Sequence, residues 1–301
     1  MGKIKAVFVG TGMIGAGLAA NAMLKGYDTV LYDVVPPEKI RQNISSILDI
    51  LVEAGAATRA QADAALDACQ ISNDLEQAVA GADFIQECIP ERLELKKSTY
   101  ATIQKVTGPN AIICSSTSKL FPTKLQEGAL YPQSILVGHP YNPSYLLPLI
   151  ELCGGEQTSE EAVQRAKEIY TGMGKVAVVC RKEIYGFIVN RLSWAALDAA
   201  KECVRDGVCS VEDMDKAIMF GPGMRMAVTG QLLTISLGVD GGFRTIAEKY
   251  GEEPSPYNEL YAQGVDQEIA NRDPDMGNTI EGVCKFRDHA FAELLRLHKL
   301  L

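Results

Sequence analysis

The sequence predicts an α/β fold: a doubly wound parallel sheet followed by an all-helical C-terminal domain. Three observations carry this. Over residues 1–184, short apolar runs of strand length alternate with segments of helical period. From Tyr185 onward the strand-like runs stop and only helical patterns remain. A glycine-rich turn joins the first apolar run to the first helical segment. The expected domains are therefore residues 1–184 and 185–301.

In chain order, Ile4 to Val9 reads as a buried strand running into Gly10-Thr-Gly12-Met13-Ile14-Gly15, which opens a helix through Leu24. Gly10 permits a tight turn, Gly12 lets a pyrophosphate approach the backbone, and Gly15 lets helix and strand pack closely. Met13 and Ile14 belong to the same turn, whose free N–H groups and helix dipole favour an anion. A second strand follows and ends at Asp33, 18 residues beyond Gly15, where an acid can bond both ribose hydroxyls. No Arg or Lys adjoins Asp33 to pair a 2′-phosphate, so the motif favours NAD over NADP in a Rossmann-type domain. The alternative is a glycine turn with a surface Asp.

Helical patterns then cover residues 38–54 and 58–66, the second with Thr58 as N-cap. Strands are expected at residues 70–72, 83–87, 111–114, 135–138, 149–152 and 175–179, with helices from Asp74, over residues 91–106 and over 159–173. In such sheets function gathers at the carboxyl ends of strands, where Gly10, Asp33, Glu87, Ser118 and His139 fall. Beyond residue 184, helices are expected over Phe187–Arg205, Ser210–Ile218, Met224–Leu237, Phe243–Tyr250, Asn258–Ala270 and Gly277–Leu300. Several of these are apolar all round, which predicts a homodimer.

Composition narrows the function. The chain has 301 residues, 47% apolar and 22% charged, as in ordinary globular proteins. A net charge of −9 argues against nucleic acid or an anionic membrane as partner. Absence of an apolar run of ~18 residues argues against a membrane span, and the first apolar run is broken too early for a signal peptide. Eight cysteines without a Cys-x-x-Cys pair read as reduced core residues of a cytoplasmic protein, with no metal site.

The stretch Gly138-His-Pro-Tyr-Asn-Pro-Ser-Tyr-Leu-Leu-Pro-Leu-Ile-Glu-Leu152 places His139 at the end of one apolar run and Glu151 inside the next. Three prolines stiffen the loop between them. That is the arrangement of a general base with a carboxylate behind it; a structural histidine in a proline-rich turn is the alternative. His289 and His298 lie among alternating charges on the last helix and read as solvated.

Taken together, Gly10–Gly15, Ser115-Ser-Thr-Ser118, His139-Pro-Tyr-Asn-Pro143, Pro148-Leu-Ile-Glu151 and Gly186-Phe-Ile-Val-Asn-Arg191 resemble the 3-hydroxyacyl-CoA dehydrogenase superfamily over essentially the whole chain. Ile85–Lys97, Tyr145–Glu151 and Gly221–Ala227 look most like its branch containing lambda-crystallin (L-gulonate 3-dehydrogenase) and carnitine dehydrogenase. The resemblance implies an NAD-dependent oxidoreductase with His139 as catalytic base and Glu151 as its partner. It also implies that Ser118 and Asn190 hold the reacting oxygen and the nicotinamide end, that Asn142 shapes the site, and that Glu91 and Lys96 touch the cofactor.

It further implies that CoA-using members carry positive charge after the second strand, whereas Asn43 to Gln70 here holds one Arg against Asp49, Glu53, Asp63 and Asp67. The expected substrate is thus a CoA-free 3-hydroxy acid, L-gulonate-like, with Arg225 as a carboxylate anchor; a salt bridge is the bland reading of Arg225. Carnitine, whose enzymes carry an aromatic where Met226 stands, and a 3-hydroxyacyl-CoA are alternatives. Tyr141, Tyr145 and Trp194 are the aromatics that could face a quaternary ammonium. A non-catalytic NAD-binding structural or sensor protein is the reading from a different class.

Overall fold

The computed structural model describes residues 3–301. The chain forms two compact units, Met1–Ala195 and Ala196–Leu301. The first is built on one eight-stranded sheet of order β3-β2-β1-β4-β5-β6-β7-β8. Its elements run β1 (Lys5–Val9), α1 (Met13–Leu24), β2 (Asp28–Tyr32), α2 (Pro37–Glu53), α3 (Arg59–Ala68), β3 (Gln70–Ser72), α4 (Leu75–Val79), β4 (Phe84–Glu87) and α5 (Leu93–Thr107). They continue through β5 (Ile112–Ser115), α6 (Pro122–Gln126), β6 (Ile135–Pro140), β7 (Leu149–Gly154), α7 (Glu160–Gly172) and β8 (Val176–Cys180) to the start of α8 (Val189–Arg205).

Sequence chemistry sets these limits locally. Thr58 caps α3 by accepting from Gln61 N–H while the Gln61 side chain accepts from Thr58 N–H, which satisfies two orphan donors. Asp74 and Ser159 cap α4 and α7 by accepting Gln77 N–H and Ala162 N–H. The strands alternate between two cores. Ala6, Phe8, Leu31, Phe84, Leu136 and Leu152 face α1, α2 and α7, while Val7, Val9, Ile85, Ile113, Val137 and Cys153 face α5 and its neighbours. Burial on both faces is what a crossover-covered parallel sheet requires.

One pairing departs from the expected parallel sheet. β7 runs antiparallel to β6, with His139 opposite Glu151 in register. The connection, residues 141–148, carries no helix, and a parallel neighbour needs a crossover of a dozen residues or more. The chain therefore turns straight back, and α7 then restores parallel pairing of β8 with β7.

The second unit is helical: the rest of α8, then α9 (Val211–Ile218), α10 (Met224–Thr229), α11 (Gln231–Leu237), α12 (Ile246–Tyr250), α13 (Asn258–Asn271) and α14 (Ile280–Leu297). Its core is Leu233, Phe243, Ala262, Val265, Ile269 and Val283. The single helix expected over Met224–Leu237 is two, because Gly230 takes φ +67° and breaks the run. The expected boundary after residue 184 also differs from the division after Ala195. Phe187 is buried in the sheet's second core, and the first backbone N–H groups of the α8 region bond Glu151 on β7. These contacts tie the start of α8 to the first unit.

Candidate active site

The site grows from the register of β6 and β7. His139 and Glu151 are opposite residues, and His139 Nδ1–H donates to Glu151 Oε2 at 2.8 Å. An ionised carboxylate can only accept, so this bond fixes the tautomer and leaves Nε2 as the free, basic nitrogen. Both side chains are buried. The other oxygen, Oε1, accepts Ile188 N–H at 2.8 Å and Val189 N–H at 2.9 Å. The turn that delivers those two donors explains the Gly186-Phe187 pair. Gly186 has φ +78° and Phe187 φ +50°, both left-handed. A Cβ on Gly186 would lie 2.4 Å from the Trp194 ring. Phe187 meanwhile sets its ring 5.4 Å from that of His139, closing the dry side of the imidazole.

A polar cavity of about 380 Å³ opens beside the dyad, lined by Ile14, Ser116, Ser118, His139, Pro140, Tyr141, Asn142 and Asn190. Five of the residues that the sequence nominated, Ile14, Ser118, His139, Asn142 and Asn190, thus converge there, with Glu151 directly behind. Tyr141 shares a hydrogen bond with Ser193 at 3.0 Å. Beneath the loop, the buried Lys175 ammonium donates to the carbonyls of Ser144 and, at 3.2 Å, of Leu147, which pins the segment carrying Tyr141 and Asn142.

A second cavity of about 590 Å³ runs along the carboxyl ends of β1, β2 and β4. Gly10, Gly12, Asp33, Val34, Leu75, Cys88, Ile89, Pro90, Arg92 and Leu95 are among its lining. Gly10 has φ +98°, and a Cβ there would collide with Cys88 O at 2.6 Å; a Cβ on Gly15 would lie 1.9 Å from Gly10 O. In front of Gly12 the space is open, so that face of the turn is free for a phosphate to approach. Asp33 Oδ2 accepts Thr11 N–H at 2.6 Å and Thr11 Oγ1–H at 2.8 Å, and Oδ1 accepts Val34 N–H at 2.7 Å. A carboxylate has about four acceptor positions, so Asp33 keeps capacity for a ribose hydroxyl. An open glycine face, a helix N-terminus and an acid at the next strand end fit a dinucleotide. The same cavity includes Cys88, whose thiol burial pushes up to about 12, making it a wall rather than a nucleophile.

Four nominated residues sit elsewhere. Met13 is exposed and lines neither cavity. Glu91 and Lys96 approach each other at 3.5 Å; Lys96 is fully buried, Glu91 is exposed, and neither lines the cavity. Arg225 belongs to the second unit, where it shares a cavity of about 200 Å³ with Thr229, Thr234, Arg287 and Phe291. Of the three aromatics, Tyr141 alone lines the reaction cavity. Tyr145 packs on the first core, and Trp194 stacks on Tyr185 at 5.5 Å. Thr11, Ser116 and Arg92 escaped the sequence reading. For Thr11, an hydroxyl between Gly10 and Gly12 is the available signal.

The model of the 3-hydroxyacyl-CoA dehydrogenase NAD binding domain matches residues 5–184, and that of the family's C-terminal domain matches residues 186–276. The chain belongs to the 3-hydroxyacyl-CoA dehydrogenase family. It is an NAD-dependent oxidoreductase. Among its relatives, an L-carnitine dehydrogenase of Pseudomonas putida is 37% identical over 303 residues, covering 97% of this chain and 92% of the relative. One of Streptomyces coelicolor is 36% identical over 96% of this chain and 92% of the relative. Among solved structures, 5-formyl-3-hydroxy-2-methylpyridine 4-carboxylic acid 5-dehydrogenase, described as an NAD+-dependent dismutase, has a TM-score of 0.72 at 29% identity, covering 87% of both chains. A 3-hydroxybutyryl-CoA dehydrogenase of Escherichia coli K12 has a TM-score of 0.68 at 26% identity, covering 88% of this chain and 57% of that one.

Proposed function

We propose that the protein oxidises the 3-hydroxyl of a small, CoA-free 3-hydroxy acid, with L-carnitine the first compound to test. The observation that carries the reaction is the His139–Glu151 pair at the wall of the polar cavity. Nε2 of His139 takes the hydroxyl proton, and Glu151 stabilises the imidazolium that results. Ser118 and Asn190 hydrogen-bond the reacting oxygen as its charge changes. Asn142 and Tyr141 shape the cavity wall. The bound nicotinamide supplies the hydride acceptor, and Gly10, Gly12, Gly15 and Asp33 hold its nucleotide. Arg225, in the second unit, is retained as the proposed carboxylate anchor.

The preference for L-carnitine revises the L-gulonate-like expectation. The relatives described above bear the name L-carnitine dehydrogenase over nearly their full lengths, and this outweighs the missing aromatic at Met226. Tyr141 is the aromatic available to a quaternary ammonium on the cavity wall. Against a thioester stands the charge of α2 and α3. Arg59 is already bonded to Asp49 at 2.7 Å and Asp63 at 3.3 Å, which leaves little field there for a 3′-phosphate. We also infer a homodimer. α8 carries Leu192 and Leu197 exposed and buries none of its residues within the chain.

The test is kcat/KM with NAD for L-carnitine, L-gulonate, 3-hydroxybutyrate and 3-hydroxybutyryl-CoA. A free acid is expected to lead by at least about tenfold, a difference of ~1.4 kcal/mol in transition-state binding; preference for the thioester contradicts the reading. Arg225→Ala should raise KM for the acid about tenfold or more and leave NAD binding unchanged. Unchanged kinetics would remove Arg225 from the site.

A further inference from the structure

Between the two cavities of the first unit lies a buried polar cluster that the dyad does not use. At its centre is Glu87, the last residue of β4, with no exposure to solvent. Oε1 accepts Lys96 Nζ at 2.6 Å and Ile89 N–H at 2.8 Å. Oε2 accepts the Tyr100 hydroxyl at 2.5 Å and the Ser115 hydroxyl at 2.7 Å. Four donors saturate the carboxylate, so a negative charge is tolerated deep in the sheet.

The partners divide into two directions. Ile89 belongs to the turn Cys88–Arg92, which forms one wall of the dinucleotide cavity, and Lys96 Nζ also reaches Ile89 O at 3.3 Å. Ser115 is the last residue of β5, opposite Glu87 in register. Its oxygen accepts Thr117 N–H at 3.3 Å. Thr117 Oγ1 then accepts Lys119 N–H at 3.2 Å and Leu120 N–H at 2.9 Å, wrapping the turn that carries Ser118. The Thr117 hydroxyl donates to Glu91, and Glu91 faces Lys96. The loop of contacts therefore closes: nucleotide wall, Glu87, Ser118 turn, Glu91 and back to Lys96.

We propose that Glu87 is a positioning residue for the dehydrogenase reaction: its buried carboxylate sets the nucleotide-cavity wall and the Ser118 turn at a fixed spacing. Glu87 touches neither cavity; it acts through Ile89 and Lys96 on one side and through Ser115 on the other. Fixed spacing matters because a nicotinamide held by one turn has to meet an hydroxyl held by the other within a fraction of an ångström. Glu91 and Lys96, expected to touch the cofactor, become in this arrangement the second strut between the same two turns.

Three variants separate positioning from burial: Glu87→Gln, Ser115→Ala and Tyr100→Phe, each measured for NADH affinity by fluorescence titration, for kcat with the best 3-hydroxy acid, and for thermal midpoint. Tyr100 is the internal control, since its hydroxyl binds the same Oε2 as Ser115 but leads to neither turn. Glu87→Gln is expected to weaken NADH about tenfold and to lower kcat about tenfold, the size of one or two charged hydrogen bonds. Ser115→Ala should lower kcat by about five- to tenfold with NADH affinity within about twofold, and Tyr100→Phe should lower the midpoint and leave both within about twofold. The proposal is overturned if Tyr100→Phe weakens NADH as much as Glu87→Gln does, or if Ser115→Ala leaves kcat unchanged. Should Glu87→Gln not fold, the contrast in kcat between Ser115→Ala and Tyr100→Phe decides alone. The kcat arm rests on the proposed reaction and the NADH arm does not, so a wild-type protein that oxidises none of the acids sinks the reaction while NADH affinity still judges Glu87.

Discussion

Asp33 is the single side chain on which the proposed preference for NAD turns. Its carboxylate is held at the end of β2 by Thr11 and Val34, with capacity left on Oδ1, and the residues that follow in the cavity offer no neighbouring cation closer in sequence than Arg92. Asp33→Ala would remove the proposed acceptor for the ribose hydroxyls and is expected to raise KM for NAD about 10- to 100-fold, the range of one to two charge-assisted hydrogen bonds. Steady-state kinetics at saturating hydroxy acid check this; a KM within twofold of wild type would take Asp33 out of the cofactor site. At this scale the sequence was informative where chemistry is carried by motif. His139, Glu151, Gly10, Gly12 and Asp33 were all named from residue type and spacing, because a strand end followed by a turn leaves few places for a side chain to go. Glu87 was named as a strand-end residue, but its bonds to Lys96, Tyr100 and Ser115 join three elements, and no local pattern records such a convergence.

The β6–β7 connection is the element on which the site depends, and Lys175 is its hidden support. The ammonium sits under residues 144–147, buried, and desolvation pushes it down to about 8. An unfolded lysine keeps its proton to ~10.4. Between those values the unfolded chain binds more protons than the folded one, so stability rises with pH across that window, and the burial penalty is fully present below about 8. The urea midpoint of the wild type should therefore rise between pH 7.5 and 9.5, by an amount on the order of 1–3 kcal/mol in stability. Lys175→Met should show no such rise from this source; equal slopes in both proteins would contradict the assignment. The same element shows why the one antiparallel pair, β6 with β7, is not legible in the sequence. Apolar periodicity locates strands but carries no sign, and it was the eight-residue, helix-free connection that reversed β7. Likewise the break at Gly230 is a backbone angle that an uninterrupted apolar period over Met224–Leu237 conceals.

At the scale of the whole molecule, the two-part architecture was legible because the change from alternating strands and helices to helices alone is compositional. The substrate was not, because it depends on side chains brought together from distant segments; the proposal of L-carnitine rests on the names of the relatives. Among the described residues no helix is long and apolar enough to cross a membrane. Leu192, Leu197, Leu260 and Ile280 are exposed, and the proposed homodimer would give such side chains a partner. Light scattering at micromolar concentration is expected to give twice the chain mass of 32.5 kDa, and a monomer would contradict the dimer. His139, oriented by Glu151, is proposed to move the proton of the substrate's 3-hydroxyl beside bound NAD. The most direct test of this is His139→Asn, with NADH formation from the best free 3-hydroxy acid and NADH affinity measured on the same preparation. The variant is expected to lower kcat by about 10²–10⁴ with NADH affinity within about twofold. A kcat within tenfold of wild type would contradict it.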